Sequence, residues 1–389
     1  MKKLLVFFAI LVLPSITLAC SSVPTLNVLN WGEYINQDVV DAFEEEYGVR
    51  VRISIASSNE LMEQRIKAGT TAYDIVVPSD YMIEKLYDEG YLQKIDLSKL
   101  TNFDEENFLD GVNEIMGQLL VDNDDVASAY EVAIPYFWGV FGIMYNNAIP
   151  GLKAYIEANE WKAVFETEPS GTFTSPLRVG MYDVPRFAYS SSMLYANQIG
   201  TLNDATALNT ESQTFLQTAE NILKQRTYAS FQTDSLKKDI ELGELDIAFT
   251  YVGDFFDTFL IVTEDETTEA GAIEAASHIG VFVPQNTIAF LDGMVIPADA
   301  KNVELAHQFI DWFLDPDNAY ENSGIVGYTT SLQVVYDTIY SAGKGDIVRS
   351  IMVRNYPYNP EGSSAKPLLP FSDNFTNDIT TMLSRVKAN

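Results

Sequence analysis

The chain has 389 residues, with 55 acidic and 24 basic side chains, a net charge of −31, and 47 % hydrophobic and 12 % aromatic residues. This is the composition of a folded globular protein, and the shortage of Lys and Arg argues against nucleic acid as a partner, since that binding rests on neutralising phosphates. The acidic surplus would concentrate a cationic ligand, although a solvated acidic surface that aids solubility explains most of it equally well.

Taken in chain order, Met1-Lys2-Lys3 is a short positive region and Leu4 to Val12 an almost unbroken apolar run. Thr17-Leu18-Ala19-Cys20 then offers a small-residue cleavage site. This is the layout of a secretory signal over residues 1–19, too short for a spanning helix. Cys20 is the only cysteine, so no internal disulfide forms. Its place resembles the lipobox of bacterial lipoproteins, with Thr17 and Leu18 in swapped order. An ordinary signal peptide with an incidental cysteine is the alternative. No other stretch reaches transmembrane length. The 370 residues after position 19 are too many for one ordinary core, so two domains are expected.

Strands and helices then alternate, which predicts an α/β fold. Leu26 to Asn30 reads as a strand. Val39, Val40, Phe43 and Tyr47 share one helix face, stopped by Gly48. Val49, Val51, Ile53 and Ile55 alternate with polar residues as a half-buried strand. Asn59 to Lys67 reads as a helix, and Asp74 to Val77 as a buried strand broken by Pro78. Ser79 or Asp80 can cap a helix that ends near Gly90. Residues 100–133 are poorly patterned. Asp122 to Asp125 lacks the glycine and the distal Glu of a calcium loop and reads as a solvated turn. Further on, Leu245 to Tyr251, Ile279 to Val283 and Met294 to Pro297 read as strands, and Glu264 to Gly271 as an acidic surface loop. Val303 to Leu314 is an amphipathic helix stopped by Asp315-Pro316.

Several strings, in order, resemble the spermidine/putrescine-binding proteins of ABC importers. They are Asn30-Trp31-Gly32-Glu33-Tyr34, Tyr73 to Tyr81, Leu92 to Asp96, Lys99 to Asn102, Ile134 to Gly139, Leu291 to Pro297, and Asp315-Pro316-Asp317 through Gly327-Tyr328. The likeness is continuous over 26–102, good over 131–147 and 245–335, and thin over 150–245 and after 335. It implies a two-lobed Venus-flytrap fold whose ligand sits in the cleft between the lobes. After the signal (1–19) and a lipidated tether (20–25), lobe 1 would comprise 26–138 plus 291–339. Lobe 2 would comprise 139–290 plus 340–389. The protein would lie outside the cytoplasm, held to the membrane by lipid on Cys20. Its partners would be a small polyamine and the permease and ATPase of the importer.

A polyamine needs carboxylates for its ammonium groups, because a buried unpaired cation is very costly. It also needs aromatic faces along its methylenes. Asp292 is the first candidate for the charge partner, since an acid closing the apolar run Ile288 to Leu291 is hard to explain as surface. It also matches the family's ligand-pairing Asp, with Phe290 as the aromatic two residues earlier. Trp31 and Tyr34 match ligand-packing residues on the loop after the first strand, and Glu33 between them adds charge. Ser79 and Tyr81 match contacts through hydroxyl and ring. Tyr251 matches a walling tryptophan, and Tyr328 a tyrosine after Gly327. Asp183 and Arg186 look like a family Asp and Arg, and Phe187 then stands where the family has Glu, removing one partner for a terminal amine.

Catalysis is not expected. The two histidines, His278 and His307, sit in no motif with a nucleophile. No cofactor is implied, and no metal site is expected, although Tyr81 with Tyr328 keeps iron open as a cargo. A basic amino acid or a quaternary amine on the same fold remains an alternative, as does a surface lipoprotein that senses or adheres. A carboxylate-bearing ligand would want an arginine in the cleft, and Arg186 is the candidate.

Overall fold

The computed structural model describes residues 23–120, 125–340 and 365–388. The expected signal peptide, Cys20, most of the Asp122–Asp125 turn and residues 341–364 of the expected second lobe lie outside them. Among the described residues no helix is long and apolar enough to cross a membrane.

Strands β1 (Thr25–Asn30), β2 (Arg50–Ile55), β3 (Ile75–Val76), β4 (Leu92–Gln93), β5 (Ala133–Asn146), β6 (Val179–Tyr182), β7 (Ser230–Gln232), β8 (Ile247–Tyr251), β9 (Ile279–Phe282), β10 (Ala289–Pro297) and β11 (Thr329–Thr330) follow one another with helices between them. The sheet order is β2-β1-β3-β10-β5-β8-β6-β7, with β9 and β11 also on β5 and β4 on β10. β1 runs parallel to β2 and β3, and β6 runs parallel to β7 and β8. Parallel neighbours need crossover connections, and helices supply them.

The fold turns on β5. Residues Ala133–Val140 pair antiparallel with β10, while Phe141–Asn146 pair with β8 and β9. One strand thus belongs to two sheets, which gives the two lobes. Thirteen of its fourteen residues are buried. A strand covered on both faces loses the alternation that marks half-buried strands, which is why β5 carries so little pattern; the described residues from 100 up to it hold only short helical turns and the helix Asp110–Met116.

Local chemistry explains the ends of the elements. Asn36 caps the helix Gln37–Tyr47 by accepting from the Asp38 N–H, and Gly48 closes it at φ 63°. Ser58 caps Asn59–Ala68 through the Leu61 N–H. Asp315 ends Val303–Leu314 and caps Pro316–Val326, accepting from the N–H groups of Asp317 and Asn318. Two expectations shift. The strand expected at Met294–Pro297 begins at Ala289, which puts Asp292 inside it. The loop expected to run to Gly271 gives way at Glu269 to a helix, because the Thr268 side chain caps it at the Gly271 N–H. Both histidines are structural in position. His307 accepts the Asp96 N–H at Nε2 (2.9 Å), its Nδ1 lies 2.7 Å from the Val303 carbonyl, and His278 closes a short turn before β9.

Candidate functional site

The parallel strands of both lobes end at the same cleft. Trp31 to Tyr34 follow β1, Ala56 and Ser57 follow β2, and Ser79 lies just beyond β3. From the other lobe, Tyr182 and Tyr251 end β6 and β8, and Asp234 follows β7. This is where open α/β sheets place their ligands. A cavity of about 50 Å³ lies there, lined by five carboxylates (Glu33, Asp234, Asp254, Asp257, Asp292), five aromatic rings (Trp31, Tyr34, Tyr182, Tyr251, Tyr328), Gly32, Ala56, Ser57 and Lys237. A larger space of about 580 Å³, lined by residues between Glu105 and Tyr130, touches none of these groups.

Asp292 is 5 % exposed on a strand that is buried throughout. The register of β10 against β5 shifts between Asp292 and Gly293, a bulge of the kind that re-aims a side chain. The Gly293 N–H is held by the Pro78 carbonyl (3.0 Å). Ser79 Oγ donates to Asp292 Oδ1 (2.6 Å) and Tyr34 Oη to Oδ2 (2.7 Å). Burial pushes the Asp292 carboxyl up to about 6, with the two hydroxyl bonds pulling the other way. Ser79 precedes the helix Asp80–Asp88 but makes no side-chain cap; its hydroxyl is spent on Asp292, and Asn59 Nδ2 donates to it (3.0 Å).

Across the cleft, the helix Val252–Val262 starts at Tyr251 and carries Asp254 and Asp257 three residues apart. Asp254 accepts from Tyr328 Oη (3.0 Å) and from Thr250 Oγ1. Burial raises its carboxyl to about 6, against the lowering pull of Lys237 and the two hydroxyls. Glu33 stands at φ 52°, a left-handed conformation that costs a non-glycine residue energy and clusters at functional sites. It reaches Lys237 Nζ at 3.0 Å.

The rings stack in two layers. Tyr34 meets Tyr328 edge-on at 4.9 Å, and Tyr251 lies 6.2 Å from Tyr328. Behind them, Phe290 packs at 4.9 Å on Tyr251 and Phe187 at 5.8 Å, both over Phe141. Phe290 therefore backs the wall without lining the cavity. Tyr81 is also outside the lining; Asn59 Nδ2 donates to its hydroxyl (3.1 Å), which donates on to Glu60 (3.3 Å). The hydroxyls of Tyr81 and Tyr328 thus serve different carboxylates and do not jointly offer an iron site.

The segment 182–187 differs most from expectation. Asp183 does not line the cavity, because both its oxygens are taken by Lys387 Nζ (2.8 and 2.6 Å). Its neighbour Tyr182 points in instead. Arg186 is buried, donating to Asn209 Oδ1 (2.6 Å) and the Leu369 carbonyl (3.0 Å), with its guanidinium 3.4 Å over Phe371. Burial lowers its pKa to about 10. Phe187 is a second-layer ring that brings no carboxylate, as expected, and the acids on that side of the cavity are Asp254 and Asp257. Those two, with Asp234 and Lys237, are the charged lining groups that sequence reasoning did not single out. Asp254 and Asp257 carried a signal: two acids at helical spacing in an otherwise apolar helix. Lys237 carried none, since the helix Ser235–Glu241 reads as a solvated face. Elsewhere, Glu63, Glu89 and Asp373 converge as a metal site might, but Lys67 and Lys85 already pair with them.

The family model for bacterial extracellular solute-binding proteins matches residues 38–344. The chain belongs to this family. Among relatives of the solute-binding protein, the putrescine-binding periplasmic protein SpuD of Pseudomonas aeruginosa is 30 % identical over 312 residues, 78 % of this chain and 77 % of that one. A spermidine/putrescine-binding periplasmic protein of Escherichia coli is 29 % identical over 310 residues, 79 % and 77 % of the two chains. A solved ABC-transporter structure from Listeria monocytogenes superposes with a TM-score of 0.71 at 25 % identity, covering 93 % of this chain and 98 % of that one. The substrate-binding protein PotD of Streptococcus pneumoniae, with TM-score 0.65, 24 % identity and coverage of 94 % and 99 %, shares the fold. The two-lobed α/β architecture of the solute-binding protein is therefore that of periplasmic binding proteins.

Proposed function

We propose that this solute-binding protein captures a polyamine, putrescine or spermidine, in its interlobe cleft and delivers it to the permease of an ABC importer. One observation carries the reading: a cavity between the lobes lined by five carboxylates and five aromatic rings. Carboxylates offset the cost of burying ammonium groups. Rings cover the methylenes and add cation–π attraction. Asp292 and Asp254, held by hydroxyls and not by direct ion pairs, are the two natural seats for ammonium nitrogens. The names of the Pseudomonas and Escherichia relatives support the same cargo class.

Among the described residues the one basic side chain lining the cavity, Lys237, is already paired with Glu33 and Asp257, so a cargo bearing a carboxylate would lack a free counter-ion there. The role is binding, with no chemical step. Lipid on Cys20 would keep the protein beside its permease. Lobes of 26–138 plus 291–339 and of 139–290 plus 340–389 suit a strand β5 that changes sheets at Val140–Phe141.

A thermal-shift panel on the mature protein tests the reading. Putrescine and spermidine should raise the melting temperature, while sugars, betaines and basic amino acids should not. A shift with one of the latter and none with any polyamine overturns it.

A further inference from the structure

Among the described residues, Lys237 is the only basic side chain lining the cavity. It is 14 % exposed and ion-paired with Asp257 (2.5 Å), itself 11 % exposed, and with Glu33 (3.0 Å). Burial works against its charge, but Asp254, Asp257 and Glu33 together outweigh burial, so Nζ stays an ammonium. A lysine side chain is four methylenes ending in an ammonium, the same aminobutyl unit that ends putrescine and spermidine. The protein has therefore set one such unit of its own among the carboxylates that would receive the cargo.

Which acids remain for an incoming cation follows from the pairing. Glu33 and Asp257 are taken by Lys237. Asp292 has the hydroxyls of Ser79 and Tyr34, Asp254 those of Thr250 and Tyr328, and Asp234, farther along the wall, that of Tyr182 (3.4 Å). Removing one partner of a buried ion pair leaves an uncompensated charge and is strongly unfavourable, so a cargo amine does not simply replace Nζ.

We propose that Lys237 is a specificity-determining residue: it permanently fills one amine position of the cleft, so that the site accepts a diamine dication and discriminates against polyamines with a third or fourth ammonium. This rests on the polyamine reading. A third ammonium in that position would lie against Nζ, a like-charge contact, and the two carboxylates beside it, Glu33 and Asp257, are already neutralised.

Calorimetric titration with putrescine, spermidine and spermine tests this on the wild type and on Lys237→Met, Lys237→Gln and Lys237→Arg. The Gln variant keeps an N–H donor for Asp257 should the Met variant fold poorly. The wild type should prefer putrescine. Met or Gln should move the putrescine-to-spermidine affinity ratio toward spermidine by at least about tenfold, the scale of a relieved like-charge contact, and Arg should leave it in place. A smaller change in both neutral variants, or a wild type that prefers spermidine, overturns the inference and leaves polyamine binding intact. If neither the wild type nor any variant binds a polyamine, both readings fall. Polyamine binding gained only on neutralising Lys237 supports the inference.

Discussion

Asp292 and Asp254 share one predicament: each is a buried carboxylate whose direct bonds come from neutral hydroxyls. Each is raised from 3.8 to about 6, chiefly by burial. A shift of that size is worth roughly 3 kcal/mol per group. The sign is fixed by which state holds the proton. The folded protein holds both protons to higher pH than the unfolded chain does. The empty protein therefore loses stability as pH rises from 3.8 to about 6, and the full cost stands above that. A cationic cargo removes the cost only where the carboxylates are ionised. The thermal shift given by saturating putrescine should thus be largest above pH 7 and shrink as pH falls through about 6, read by scanning calorimetry. Equal shifts at pH 5 and pH 7.5 would mean that neither acid meets the cargo. Asp292→Asn separates the two effects. It should leave the empty protein at least as stable, because a buried charge is gone, yet weaken putrescine by about a hundred- to several-thousand-fold, the equivalent of roughly 3–5 kcal/mol for a broken buried charge pair.

The helix Val252–Val262 depends on its second residue. A Cβ on Gly253 would meet three ring atoms of Tyr328 at 2.5 Å. The ring has little room to retreat, since Tyr34, Phe290 and Tyr251 surround it at 4.9, 6.1 and 6.2 Å. Gly253→Ala should push Tyr328 off Asp254 and weaken cargo binding by about five- to a hundred-fold, from an overpacking cost of roughly 1–3 kcal/mol. Titration would show it, and an unchanged affinity would mean that the Tyr328 hydroxyl has no part in seating Asp254. The same helix shows what a sequence can and cannot reveal about the site. Asp292 was legible because an acid inside an apolar run must be buried with its strand, and a buried carboxylate needs a partner. Tyr34, Trp31 and Tyr328 were legible through ordered family motifs. Lys237 was not, because Lys237 and Lys238 are adjacent and only three-dimensional packing decides between them: Lys238 stays 59 % exposed, paired with Glu241, while its neighbour turns in. Asp183 and Tyr182 are also neighbours, and only packing decides that the ring lines the cavity while the acid pairs with Lys387 outside it.

At the scale of the molecule, the first sheet and its α/β alternation were readable from periodicity, and of the second lobe the strands β8 and β9 but little of residues 150–245. Its helix Pro185–Gln198 is buried continuously from Arg186 to Ala196. A helix covered all round has no polar face, and so no amphipathic signature. The cleft between the lobes is bridged in this structure by Lys237 to Glu33 and by Tyr328 to Asp254, so opening must break both bonds before cargo can enter. Cargo approaches a chain carrying a net charge of −31, with acids concentrated in the cleft. Such a field raises the encounter rate of a dication and leaves escape from the closed site to local contacts. Salt shortens its reach to about 8 Å at physiological ionic strength. Stopped-flow tryptophan fluorescence, with Trp31 at the cavity as reporter, should therefore show the association rate of putrescine falling by about tenfold or more between low salt and about 0.5 M NaCl. The dissociation rate should change far less. If association proved indifferent to salt while dissociation quickened, the acidic surplus would act only after capture, as a property of the closed pocket, and the surface charge would have no share in gathering the cargo.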